Sequence, residues 1–392
     1  MFKNVLTWVI AISLAIMSGS AALGSIIKTR SPELALSLIP TNGFAAEAMA
    51  SDLTTKFVAK NQGIFPDLID PTWGAIALEA FQSEAVSPDA IAVIALSRTG
   101  DVRRELMQKA FELSRRQKIV TGWLIVDSGR RNQLPVLLDL YDALLRTSSS
   151  AGAVVIPMMA ESLVDARVIA PLTELLSKTP PWAGSFWGQV AFTPQALANA
   201  VQLRKGLYRP DESVEGSSDA ALIGALVANK QFAGAEELYN LVSRRPLENS
   251  LIKNGSFLHE PKYPPLDWQL FFNGEYGAEI TNGYLQISAV ANSGGLFARQ
   301  LVRLPSEVLQ LGTKFAGEVP DDANLEIRIS CAETIANPPL TARLPLINRT
   351  GKHQISNQSS GCSYFWLDVV GRASDNGDGF DTLLHSISIS PE

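Results

Sequence analysis

The chain has 392 residues, a net charge of −6 and 18% charged residues. That length suits two or three domains, each able to bury a core, and 46% apolar content excludes disorder over most of the chain. Residues 31–250 carry 20 Lys and Arg against 24 Asp and Glu, and residues 251–392 carry 10 against 15, so neither part is basic enough for a nucleic-acid partner. Two cysteines without a CxxC pair cannot build a cysteine-rich zinc site.

Residues 1–30 read as a membrane anchor or signal segment. Val5 to Ile27 is uncharged and is followed by Lys28 and Arg30; as a helix it would extend about 34 Å, enough to cross a bilayer. The run predicts an N-terminal membrane helix, uncleaved and crossing the inner membrane once. A cleaved secretory signal, with Gly19-Ser20-Ala21 as the cleavage site, and a buried soluble helix are the alternatives. Cys331 and Cys362 both lie in the last part of the chain. An even count beyond an export-type segment suits a disulfide in an oxidising compartment and would place the body in the periplasm. Such a bridge would contribute roughly 3 kcal/mol; two separate buried thiols are the other reading.

From 31 to 250 the apolar residues recur at helical spacing. Ser31-Pro32-Glu33 opens one helix as cap, first-turn proline and acid, and Asn42 caps the next. Further helices follow over Asp89–Arg98 and Val102–Ser114, and on to Phe232–Val242, joined by Gly, Asp or Asn turns. Short helices of this kind must cover one another's apolar faces. The segments Ser87–Leu113 and Asn229–Tyr239 resemble tetratricopeptide repeats, although no clean 34-residue period or intact signature is present; an irregular bundle is the alternative. The array is expected to bind a protein partner. Four arginine doublets punctuate it, Arg103-Arg104, Arg115-Arg116, Arg130-Arg131 and Arg244-Arg245. Nearby carboxylates such as Asp127 favour paired, solvated faces over an anion site.

From 251 to 392 short runs bounded by Gly, Asn, Pro and Ser predict strands, with Asn282-Gly283 as a two-residue hairpin turn. Leu325, Ile327 and Ile329 alternate with Glu326, Arg328 and Ser330, as in a sheet with one buried face. The fold class is therefore multidomain, α then β, ending in a β-sandwich jelly roll. The opening Leu251-Ile252-Lys253-Asn254-Gly255-Ser256-Phe257 with Pro265-Leu266-Asp267-Trp268, and the closing Phe380-Asp381 run, resemble galactose-binding-like jelly rolls and carbohydrate-binding modules of the family 4/9 type. The resemblance covers the last third only. It implies polysaccharide as a ligand and a place in exopolysaccharide assembly or export.

Sugar binding needs aromatic faces beside hydrogen-bonding groups. The candidates are Tyr276, Tyr284, Tyr364 and Trp366, with Trp268 read as core. Asp375, Asp378 and Asp381 form the densest oxygen cluster and could hold a structural calcium; no other cofactor is expected, and an ordinary polar turn is the alternative. No nucleophile elbow, P-loop, HExxH or dinucleotide motif occurs, and His259, His353 and His385 have no evident partner. The pair Asp321-Asp322 is a poor glycosidase candidate, because adjacent residues rarely converge on one bond. The expected function is non-catalytic, tethered binding of a protein and of envelope or exported polysaccharide. The alternatives are a pure protein scaffold and a degenerate carbohydrate-active enzyme.

Overall fold

The computed structural model describes residues 2–61, 64–84, 86–208, 217–243, 250–305, 308–315, 319, 323–333, 340–346, 350–356, 361–375 and 379–391, without the side chains of 2–10, 217, 340, 341, 350 and 356. Arg244-Arg245, Asp321-Asp322 and Asp378 lie outside the described residues. The chain forms two compact units, residues 1–155 with 178–182, and residues 156–177 with 183–392.

The first unit is helical: α1 (Phe2–Ile27), α2 (Pro32–Leu38), α3 (Gly43–Lys60), α4 (Pro71–Ser83), α5 (Pro88–Leu96), α6 (Gly100–Leu113), α7 (Lys118–Arg130) and α8 (Leu134–Thr147). Among the described residues no helix is long and apolar enough to cross a membrane. This overturns the expected membrane helix, and with it the single-span inner-membrane placement. The described side chains of α1 begin at residue 11, and Ser13, Ser18, Gly19, Ser20, Gly24 and Ser25 break up their apolar character.

Caps set the helix starts. The Asn42 side chain accepts from Ala45 N at 3.1 Å, Asp70 from Thr72 N at 2.9 Å and Ser87 from Ala90 N at 3.3 Å. The core is rich in alanine, with Ala46, Ala50, Ala77, Ala80, Ala90, Ala92 and Ala95 all buried among Val93, Leu96, Met107 and Trp123. Small side chains let these helices approach closely. At Gly43 any Cβ would sit 2.8 Å from the Cβ of Ser83 on α4.

Helix α9 (Gly152–Ser162) leads into the second unit, which continues with α10 (Ile169–Leu176), α11 (Ala183–Ala191), α12 (Leu197–Leu207), α13 (Ser217–Ala228) and α14 (Phe232–Val242). Arg204 on α12 meets Asp219 on α13 through two bonds of 2.6 and 2.9 Å, with both side chains more than nine-tenths buried.

Ten strands follow: β1 (Gln269–Leu270), β2 (Tyr276–Thr281), β3 (Tyr284–Ala289), β4 (Gly294–Arg303), β5 (Val308–Phe315), β6 (Asn324–Cys331), β7 (Leu340–Pro345), β8 (Thr350–Ser356), β9 (Tyr364–Arg372) and β10 (Phe380–Pro391). They form two antiparallel five-stranded sheets, ordered β1-β4-β9-β6-β7 and β2-β3-β10-β5-β8. Only β2–β3 and β6–β7 are consecutive strands of one sheet, and every other connection between the ten strands passes from one sheet to the other, which gives a jelly-roll sandwich. Asn282 and Gly283 turn β2 into β3 at φ +51° and +79°, a pair of left-handed positions suited to Asn-Gly.

Between the sheets lie Phe257, Trp268, Phe297, Leu325, Ile327, Ile329, Phe365, Leu367, Val369 and Ile387. Trp268 is fully buried, and its Nε1 donates to the carbonyl of Asn254 at 3.2 Å. A disulfide joins Cys331 at the end of β6 to Cys362 before β9, across a sequence separation of 31.

Candidate functional site

Alternation along β9 sends Phe365, Leu367 and Val369 inward and leaves Tyr364, Trp366 and Asp368 on the outer face of the first sheet. The register aligns five residues across that sheet, Gln269, Arg299, Asp368, Arg328 and Arg343, one from each strand. At 4.7–4.9 Å between strands such a row extends about 19 Å. Arg299 grips Asp368 with two hydrogen bonds of 2.7 and 2.9 Å, and its guanidinium lies 4.7 Å from the centre of the Trp366 ring. Glu326 is shared by Arg328 and Arg343.

Helices α13 and α14 cover one end of this face. Phe232 packs 5.3 Å from the ring of Tyr364, whose hydroxyl donates to Glu236 at 2.8 Å. Burial, and then the Glu236 carboxylate, push the Tyr364 phenol up to about 12. On α14 Tyr239 also donates to Asp267 at 3.0 Å, while the backbone amides of Lys262 and Tyr263 donate to the other carboxylate oxygen. The α13–α14 turn passes through Lys230 in the left-handed region, φ +58°, and its ammonium donates to the carbonyl of Glu333 at 3.1 Å.

These elements bound an open cleft of ≈ 500 Å³. One wall is Gly224, Val227 and Lys230 with Phe232; the other is Pro264, Pro265, Gln269 and the half-buried Trp366. Among the described lining residues the charged one is Lys230, and none is a carboxylate. The cleft thus joins an aromatic ring, a carboxamide and an ammonium in a mostly apolar cavity, a composition suited to a polyhydroxylated ligand with apolar faces.

The four aromatic candidates divide between the sheets. Trp366 lines the cleft, and Tyr364 lies beside it under Phe232. Tyr276 on β2 meets core Phe297 edge-on at 5.3 Å, and Tyr284 on β3 lies 5.3 Å from His385. Lys230, Gln269 and Phe232 were not singled out by sequence reasoning. Their proximity comes from the docking of α13–α14 on the sheet and from strand register, and no local motif records either. In the acidic loop Asp375 pairs with Arg372 at 3.1 Å, and Asp381 accepts from Gln286 at 3.0 and 3.1 Å, so both have partners within the protein. Glu333 lies beside Cys331 and Cys362, but the disulfide engages both sulfurs and leaves no thiolate for a metal.

In the first unit a smaller cavity of ≈ 180 Å³ is lined by Phe65, Asp67, Arg103, Arg104, Asp127 and Arg130, among others. Arg103 donates to the carbonyls of Arg98, Pro66, Asp67 and Leu96, and Arg104 binds Asp101 and Asp127. Arg131 binds Asp127 as well. Arg103 thus ties α6 to α5 and to the segment before α4, and Arg104 ties α6 to α7.

No family model matches the sequence, and no curated protein matches it. Among solved structures, the carbohydrate-binding module described as "CBM4 structure and function" is 12% identical, with 36% of this chain and 99% of that chain covered at a TM-score of 0.26. A second, TmCBM61 in complex with β-1,4-galactotriose, is 16% identical, with 38% and 99% covered at a TM-score of 0.25. The assignment of this β region as a jelly roll rests on its own strand order and register.

Proposed function

We propose that the cleft between α13–α14 and the outer face of the first sheet binds carbohydrate, without catalysing a reaction on it. The observation that carries the reading is the composition of the cleft, which the half-buried Trp366 lines together with Gln269 and Lys230. A pyranose could lay its C–H face on the indole while its hydroxyls meet the carboxamide and the ammonium. One ionisable side chain among the lining residues supports binding over acid–base chemistry, which needs two positioned groups.

Affinity electrophoresis of the full chain through gels containing neutral and acidic polysaccharides tests it. Trp366→Ala should weaken retardation by about tenfold or more, the usual cost of removing an aromatic anchor. Gln269→Ala, at an exposed position on β1, should weaken it with no change in melting temperature. Unretarded migration of the folded chain in every gel would refute the reading.

A further inference from the structure

The outer face of the first sheet buries its carboxylates and presents its cations. Within the Arg299–Asp368 pair the side chains are 31% and 12% exposed. Glu326 is 5% exposed beneath Arg328 and Arg343, at 41% and 59%. A ligand lying along the row therefore meets guanidinium groups, with the neutralising oxygens screened below them. Two arginines also share the single carboxylate of Glu326, which leaves that end of the row with excess positive charge. Lys230 reinforces this at the other end, since its ammonium bonds a carbonyl while the Glu333 carboxylate accepts from Ser363 N at 3.2 Å.

We propose that the carbohydrate bound here is an acidic polysaccharide, whose anionic groups are met by Lys230 in the cleft and by Arg328 and Arg343 along the sheet. This rests on the carbohydrate reading of the cleft. The row's extent of about 19 Å suits an extended chain better than one sugar. Guanidinium groups bind carboxylate and sulfate oxygens in a fork, and hydroxyls less strongly. The molecule as a whole carries a charge of −6, so attraction to a polyanion must arise from a local surface. At physiological ionic strength, charges beyond about 8 Å are largely screened, so this face acts on its own.

The test is native affinity electrophoresis of the full chain in gels containing polygalacturonate, dextran sulfate or neutral β-1,4-galactan. Polygalacturonate or dextran sulfate should retard the chain more than galactan, and the stronger of the two identifies the anion as carboxylate or sulfate ester. Lys230→Ala and Arg343→Gln should each reduce that retardation by about 5-fold, as the loss of one partly exposed ionic contact implies. Arg343 is exposed and Glu326 keeps Arg328, so the melting temperature of Arg343→Gln should match the wild type and show that the fold is intact. Retardation by galactan alone would overturn the acidic ligand and leave the carbohydrate reading standing. Retardation in no gel would refute both. Retardation by polyanions that neither substitution alters would place the contact elsewhere and overturn the proposal.

Discussion

Asp89 gives the first unit a pH dependence that one substitution should remove. It stands in the first turn of α5, between Ser87 at the cap and the buried Ala90. Its backbone N–H donates to Glu47 Oε1 on α3 at 3.3 Å, so two carboxyl groups share a partly buried junction. Burial first, and the Glu47 charge second, raise the Asp89 carboxyl from 3.8 to about 6. The folded state therefore binds more protons than the unfolded chain between those pH values. The group's contribution to stability is complete below about 3.8 and is lost as pH rises through about 6. At about 1.36 kcal/mol per pH unit, this shift sets a ceiling near 3 kcal/mol. The N-terminal dipole of α5 favours the charged form by about 0.3–1 kcal/mol, and residual solvent exposure lowers the cost further. Asp89→Asn should thus stabilise the first unit by roughly 1–2 kcal/mol at neutral pH, or about 2–8 °C in Tm. It should do almost nothing at acid pH. Urea and thermal melts of wild type and variant from pH 3.5 to about 7.5 would measure the difference, in which other titrating groups cancel. Glu47→Gln should reproduce only the smaller part of the gain. A difference between Asp89→Asn and wild type that stays flat across this range, or a loss of stability at neutral pH, would refute the reasoning.

Asp219→Ala should destabilise the second unit by about 3–5 kcal/mol, because it leaves the Arg204 charge buried without its partner; the double replacement Arg204→Met with Asp219→Leu should recover much of this in urea melts. Reducing the Cys331–Cys362 disulfide, which spans 31 residues, should cost the sandwich about 3–4 kcal/mol, read as a lower urea midpoint with dithiothreitol. Residues 251–392 expressed alone lack α13 and α14, and so lose Phe232 over Tyr364, the Tyr239–Asp267 bond and one wall of the cleft. That fragment should bind polysaccharide more weakly than the full chain and melt at a lower temperature than the second unit does.

Much of the jelly roll was legible because its inner face obeys alternation. Leu325, Ile327 and Ile329 fall inside as their spacing requires, and Asn282-Gly283 makes its turn. The strand β8 (Thr350–Ser356) leaves little trace in the sequence for a physical reason. It pairs only with β5 at the edge of its sheet, and Ile355 is its one apolar contribution to the core. An edge strand that buries one residue carries almost no periodic signal. The closing strand was legible only in part, because its register shifts between Leu384 and Ser386. Phe380, Thr382 and Leu384 face inward before the shift, and Ile387 and Ile389 after it. A bulge of this kind breaks the two-residue alternation that sequence reading relies on. Hydropathy misled at the N-terminus, where no helix of sufficient length and apolar character for a membrane is found among the described residues.

The cleft was the least legible feature because it has no contiguous sequence. Lys230 and Phe232 flank a turn between helices, Pro264 and Gln269 bracket the first strand, and Trp366 comes about 100 residues later. Trp366 could be named in advance as one of two aromatics sharing a face of β9, but alternation alone could not say whether that face was the outer one or which of the pair would stay exposed. That choice is made by α14. Phe232 and Glu236 close over Tyr364, and Glu236 accepts from its hydroxyl, while Trp366, two residues further along the strand, is left half-buried in the cleft. The same packing brings Lys230 to the cleft, since the turn that starts α14 lies at the end where Phe232 meets the sheet. The binding surface is therefore a consequence of where α14 begins. A change that unseats Phe232 should disturb the exposure of Trp366 and the position of Lys230 together, even though it removes neither.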